Sequence, residues 1–154
     1  MTEREYQAAL LYLPYVLEAH QTYRLDTAIL YGVMSRESRC GLALDKNGRG
    51  DGGHGHGLMQ IDDRSHLKFI RSGKWKDPRL NILYGAKLLR ESINYMKGKG
   101  IADPLRPGIA AYNRGASGVY NDMKRGLDCD AKTTGGNYST DVLRRAEWFR
   151  ARLF

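Results

Sequence analysis

The stretch SRESRCGLALDKNGRGDGGHGHGLMQIDD, residues 35–63, begins at the end of an apolar segment and then carries Gly48, Gly50, Gly52, Gly53, Gly55 and Gly57 in close succession. Glu37 precedes the glycines, Asp51 stands among them, and Asp62 and Asp63 follow. A plain linker would run on into further polar sequence. Here Leu58, Met59 and Ile61 come next, which predicts a loop anchored against a core. Glycine lets the backbone take left-handed conformations and lets a bulky ligand approach the main chain. Residues 49–62 are also the one place where a small twisted hairpin is expected.

Outward from this loop the chain reads as helices. Thr2 with Glu5 has capping-box spacing, and Tyr6, Leu10, Leu13 and Leu17 then recur at helical intervals, with Pro14 expected to kink or split the segment. Asp26 is placed to cap a buried helix, TAILYGVMSRES, that ends just past Glu37. Asp77 followed by Pro78 predicts the start of the longest helix, with an apolar stripe of Ile82, Ala86, Leu89, Ile93 and Met96 that stops at Gly98. Two more helices are predicted around DPLRPGIAAYN and along STDVLRRAEWFRARLF, where Val142, Ala146 and Phe149 share a face.

Composition restricts the rest. A chain of 154 residues, 42% hydrophobic and 27% charged, fits one globular domain spanning 1–154 and is far from the disordered regime. No apolar run approaches the ~18 residues of a membrane span, so no stable membrane insertion is expected. The net charge of +8 favours a polyanionic partner, for which nucleic acid, acidic lipid and bacterial cell wall all qualify. Cys40 and Cys129 form neither a zinc nor a redox motif. The acidic start MTEREYQAAL does not resemble an export signal.

The chemistry centres on Glu37. A helix C-terminus carries partial negative charge, so a carboxyl group there holds its proton more tightly, as a general acid working near neutral pH requires. Asp51 and Asp62 supply candidate second carboxylates. A pair of carboxylates is the arrangement that hydrolyses glycosidic bonds: ~5 Å apart the second attacks directly, and ~6.5–9.5 Å apart there is room for a water. Rival readings fit less well. GRGDGG matches a dinucleotide fingerprint formally but follows a helix, and no Lys-Ser/Thr follows the glycines to make a phosphate loop. His54 and His56 with Asp51 lack the supporting shell of a metal site. No metal and no cofactor are expected.

SRES, GDGGHGHGLMQID, RSH, GIAAYNRG and YSTDV, in that order, resemble the goose-type lysozyme family, with lytic transglycosylases as wider relatives. The likeness runs from about residue 24 to 149. It implies a mainly α, lysozyme-like fold, helical with a small sheet beside a substrate cleft, that cuts the β-1,4 bond between N-acetylmuramic acid and N-acetylglucosamine. It implies Glu37 as the acid that protonates the leaving oxygen and Asp62, then Asp51, as the groups that hold the attacking water, with inversion at the anomeric carbon. Tyr112, Asn113, Tyr138 and His66 are implied at the cleft, with His56 and Gln60 as further substrate contacts.

Relatives that lack the aspartates form anhydro products, so a lytic transglycosylase is one alternative. A catalytically inactive wall-binding or nucleic-acid-binding module is the other. The vertebrate members carry an N-terminal extension with disulfides that is not seen here, and a phage endolysin released from the host cytoplasm to the wall is the expected setting. A bacterial wall-remodelling or antibacterial enzyme comes next. The expected partner is bacterial peptidoglycan rather than nucleic acid, and the expected state is a monomer.

Overall fold

The structure is a computed structural model that describes residues 1–153. The described residues form eight α-helices and one three-stranded antiparallel sheet. The fold is therefore mainly α with a small sheet, as the periodicities predict. Among them no helix is long and apolar enough to cross a membrane. The chain divides into two compact units, one of Met1–Ala86 with the residues from Arg145 onward, the other of Lys87–Arg144.

In the first unit the chain opens with α1 (Glu3–Leu10) and α2 (Leu13–Tyr23), split two residues before Pro14, which sits in the first turn of α2 where its missing N–H costs nothing. The Thr2 hydroxyl accepts from the Glu5 amide at 3.2 Å, giving one half of the expected capping box. The other half is absent. Glu5 is 1% exposed, and its carboxylate accepts from the Ser35 hydroxyl and faces Arg145 at 3.8 Å. The split also changes the phase of the apolar face: Ala9, Val16 and Ala19 are buried, whereas Leu17 is 40% exposed.

Asp26 caps α3 (Thr27–Ser38) by accepting from the Ala28 and Ile29 amides at 2.8 and 3.3 Å. Residues 28–35 of α3 are all buried. Tyr31 stacks on Phe149 with centroids 5.2 Å apart and donates to the Ala9 carbonyl at 3.2 Å, so α1, α3 and the chain's last helix meet around one ring. Burying a ring of this size stabilises a core by about 1.5–3 kcal/mol.

The glycine loop folds as β1 (Arg49–Gly50), β2 (Gly55–His56) and β3 (Ile61–Asp62) in the order β1-β2-β3. Arg49 pairs with His56 and His56 with Ile61; Gly50 pairs with Gly55 and Gly55 with Asp62. Cross-strand partners share a face, so Asp62 projects opposite to His56 and Ile61. The expected hairpin thus gains a third strand. α4 (Leu67–Arg71) and a 3-10 turn at Lys74–Lys76 follow, neither of them predicted, and then α5 (Pro78–Gly98).

In the second unit, α5 meets α6 (Leu105–Arg114) closely enough that a Cβ on Gly108 would lie 2.8 Å from the Ile93 Cα. α7 (Ala116–Lys124), a helix not predicted, follows directly across Gly115, whose φ of +94° turns the chain. Met96, Ala110, Ala111, Val119 and Cys129 form this unit's core. α8 (Tyr138–Leu153) begins here and buries Val142, Ala146 and Phe149 as expected. Phe154, the last residue of the predicted C-terminal helix, lies outside the described residues.

Candidate active site

Glu37 occupies the last turn of α3 and is half-buried. Immediately after it the chain leaves the helix axis, since Arg39, Cys40 and Gly41 all have positive φ, of 50°, 54° and 92°. The αL residue at the helix end exposes carbonyls to partners outside the helix. Ser38 fastens this end to the loop beyond: its hydroxyl lies 2.8 Å from the Leu58 carbonyl and accepts from the Gly41 amide at 3.0 Å. The backbone beside Glu37 and the strand leading to Asp62 are therefore held by one buried side chain.

A second pin comes from α5. Asn81 is fully buried, accepts from the Met59 amide at 2.9 Å, and donates to the His56 and Trp75 carbonyls at 2.9 and 3.1 Å. Gly57 is needed there because its φ is +75° and because a Cβ would lie 2.3 Å from the Asn81 amide nitrogen. The site's sheet is thus bolted to two helices.

The two aspartates singled out from sequence are brought together by Arg64. Its Nε lies 3.0 Å from Asp62 Oδ1, its terminal nitrogen 2.8 Å from Asp62 Oδ2 and 3.3 Å from Asp51 Oδ2. The Arg64 amide also donates to Asp62 Oδ1 at 2.7 Å. Asp51 reaches this cluster because it turns the β1–β2 connection with φ of +50°, followed by Gly52 and Gly53 at +62° and +93°. The Arg64 guanidinium beside Asp62 holds its carboxyl below the usual range, against a smaller upward push from burial, and His54 adds to the lowering. Asp62 is therefore ionised at neutral pH. Asp51, 70% exposed at its side chain, lies open to solvent.

Other expected contacts sit differently. His56 is 2% exposed, its Nδ1 2.9 Å from the His54 carbonyl and its ring edge-on to Trp75 at 4.6 Å. It supports the sheet from the face away from Asp62. Gln60 donates to the Gly57 carbonyl at 2.9 Å and lays its amide across the bare glycines, so that a Cβ on Gly55 would fall 2.1 Å from its Oε1. That amide braces the face from which Asp62 projects. His66 is half-buried, with Nδ1 3.0 Å from the Tyr84 hydroxyl, and Tyr84 stacks on Phe69 at 3.8 Å. His54 pairs with Asp63 at 2.9 Å.

The remaining candidates belong to the second unit. Tyr112 is half-buried on α6. Asn113 exchanges two hydrogen bonds with Thr134, donating to its hydroxyl at 3.1 Å and accepting from its amide at 2.9 Å. Tyr138 is 1% exposed at the first position of α8, where its amide donates to the Thr133 hydroxyl at 3.2 Å. Asp130 organises this corner. Its buried carboxylate accepts from the Ser139 amide at 2.8 Å, the Ser139 hydroxyl at 2.7 Å and the Thr140 amide at 3.2 Å, and lies 3.4 Å from Arg106.

A glutamate at a helix end and a clamped aspartate pair on a small sheet invite comparison with known proteins. The family model described as Lysozyme g matches residues 1–152. The chain belongs to the goose-type lysozyme family. It is 38% identical over 138 residues to lysozyme g of Cyprinus carpio, covering 84% of this chain and 67% of the relative. It is 34% identical over 154 residues to lysozyme G of Dromaius novaehollandiae, covering 97% and 71%, and 35% identical over 156 residues to lysozyme g of Casuarius casuarius, covering 97% and 78%. As a goose-type lysozyme the chain is a glycoside hydrolase, and its substrate class is peptidoglycan.

Sequence reasoning did not single out Arg64, Asn81, Ser38 or Asp130. Arg64 carried a usable signal, being two residues from Asp62 inside RSH. The other three act through tertiary contacts, and no local pattern marks them.

Proposed function

We propose that this goose-type lysozyme is an inverting N-acetylmuramidase in which Glu37 is the general acid and Asp62, assisted by Asp51, directs the attacking water. Glu37 gives its proton to the bridging oxygen as the bond from C1 of N-acetylmuramic acid to that oxygen breaks. Water adds to C1 from the opposite face, and its proton passes to the carboxylate. His66 lines the sugar site in this reading. The observation that carries it is the Asp51–Arg64–Asp62 cluster, two carboxylates drawn together by one guanidinium beside a sheet that Ser38 ties to the turn holding Glu37.

The test is digestion of purified peptidoglycan by wild type, Glu37→Gln and Asp62→Asn, with the anomer of the first product read by NMR. Loss of the acid is expected to slow cleavage by at least ~10²-fold, and wild type is expected to release the inverted anomer. Undiminished cleavage by Glu37→Gln, or 1,6-anhydro ends in the wild-type digest, refutes the mechanism.

The setting we propose is a phage endolysin, working as a monomer without cofactor, that reaches the wall from the host cytoplasm. Its two cysteines are free and buried, which suits a chain that folds in a reducing compartment. Expression inside a bacterium is then expected to cause lysis only when the inner membrane is permeabilised; lysis without permeabilisation argues against this setting.

A further inference from the structure

The interval from Arg64 to Lys76 holds five cationic residues and no acidic one, more cations than any other acid-free run in the chain. Arg64 is committed to the aspartates, but Lys68, Arg71, Lys74 and Lys76 are all exposed. Lys68 and Arg71 are three residues apart on α4, a spacing that puts both on one helix face. Lys74 and Lys76 lie on the 3-10 turn packed against that helix.

The segment is secured from beneath. Phe69 stacks on Tyr84, Trp75 is 5% exposed, and the Trp75 carbonyl accepts from buried Asn81. Ser72 closes the turn, its hydroxyl donating to the Phe69 carbonyl at 2.6 Å and accepting from the Lys74 amide at 3.2 Å. The Lys76 ammonium lies 5.8 Å from the centre of the Trp75 ring, which restrains it close to the turn. The nearest following acid, Asp77, is occupied in capping α5 through the Leu80 amide at 3.2 Å. Four cations are thus presented outward on a fixed base.

We propose that this platform docks the phosphodiester groups of an anionic polymer attached to the cell wall, and so retains the enzyme on its insoluble substrate. Three of the four donors are lysines, which act as point charges on flexible stems. That suits single charges spaced along a flexible chain, whereas a carboxylate or phosphate held in one fixed orientation is matched by arginine's two-pronged fork. The inference rests on peptidoglycan as the substrate class but not on the roles of Glu37 or Asp62.

The experiment compares the full chain with the charge-reversed variant K68E/R71E/K74E. Binding is measured by co-sedimentation, in a Glu37→Gln background so that the wall stays intact, on walls that keep their phosphodiester polymer and on the same walls stripped of it. Catalysis is measured separately on a soluble peptidoglycan oligosaccharide. The unreversed chain is expected to bind polymer-bearing walls about tenfold more tightly than stripped ones, and added salt is expected to erase the difference. Charge reversal is expected to remove that advantage while leaving turnover of the soluble oligosaccharide unchanged. Equal binding to both kinds of wall, or undiminished binding by the reversed variant, overturns the proposal. Tighter binding to duplex DNA than to polymer-bearing walls overturns it in favour of a nucleic-acid partner. Failure of the catalytic reading would appear elsewhere, as cleavage by Glu37→Gln.

Discussion

Replacing Asp130 by alanine removes a buried carboxylate that holds the start of α8. The side chain is 3% exposed and accepts from two backbone amides and a hydroxyl at its new helix end, with Arg106 at 3.4 Å. Deleting one member of a buried charged pair costs about 3–5 kcal/mol. The lower end applies here, because Arg106 keeps two bonds to Asp128, at 2.9 and 2.7 Å, and is not stranded. About 3 kcal/mol corresponds to a fall in Tm of about 6–12 °C for a chain of this size.

The pH dependence has a definite sign. Burial alone would raise the Asp130 carboxyl, but the bonds from Ser139 and Thr140 and the charge of Arg106 bring it below the usual range. Its stabilisation is therefore fully present above the unfolded value of ~3.9 and is lost as pH falls through the lower folded value. Urea unfolding of wild type and Asp130→Ala, followed by circular dichroism at pH 7 and again near pH 2, measures both effects. The gap between the two proteins is expected to narrow in acid. A loss below about 1 kcal/mol at pH 7, or a gap that widens in acid, refutes the assignment of Asp130 as the anchor of α8.

Arg64→Gln is expected to leave Tm unchanged, since Arg64, Asp62 and Asp51 are 57%, 36% and 70% exposed at their side chains, yet to move the acid limb of the pH–rate profile upward as Asp62 loses the cation that lowers it. Arg64→Lys restores the charge without the fork and is expected to recover the limb more fully than the rate. Gly57→Ala forces a Cβ onto the Asn81 amide at a φ of +75°, and a loss of at least ~2 kcal/mol in urea unfolding is expected, together with lower wall-cleaving activity. Burial pushes the Cys40 and Cys129 thiols up, so both are expected to react with a thiol reagent at pH 8 only after denaturation; prompt reaction in the folded protein contradicts their placement.

The helices legible in sequence are those whose signals are local. Asp26 and Asp77 cap where the capping pattern puts them, and the α5 stripe is buried from Ile82 to Met96, because an N-cap and a period of 3.6 act within a few residues. The helices that were missed, α4 and α7, are short. α4 has no buried residue, and α7 buries only Val119 and Asp122, so neither leaves a stripe to read. Glu5 shows a local signal overridden by packing. Its capping partner was correctly placed, but Ser35 and Arg145 claim its carboxylate instead.

The candidate site divides along the same line. The order and chemistry of the motifs, Glu37 at a helix end and aspartates on either side of a glycine-rich turn, determined the family and hence the class of reaction, since covalent sequence alone sets which groups are available. What the tertiary structure decided is which groups meet: Arg64 joins Asp51 to Asp62, Asn81 and Ser38 hold the sheet, and His56 turns inward onto Trp75. Such choices depend on burial and on hydrogen bonds between residues distant in the chain. They come into existence only once solvent has been excluded and each buried polar group has found its partner.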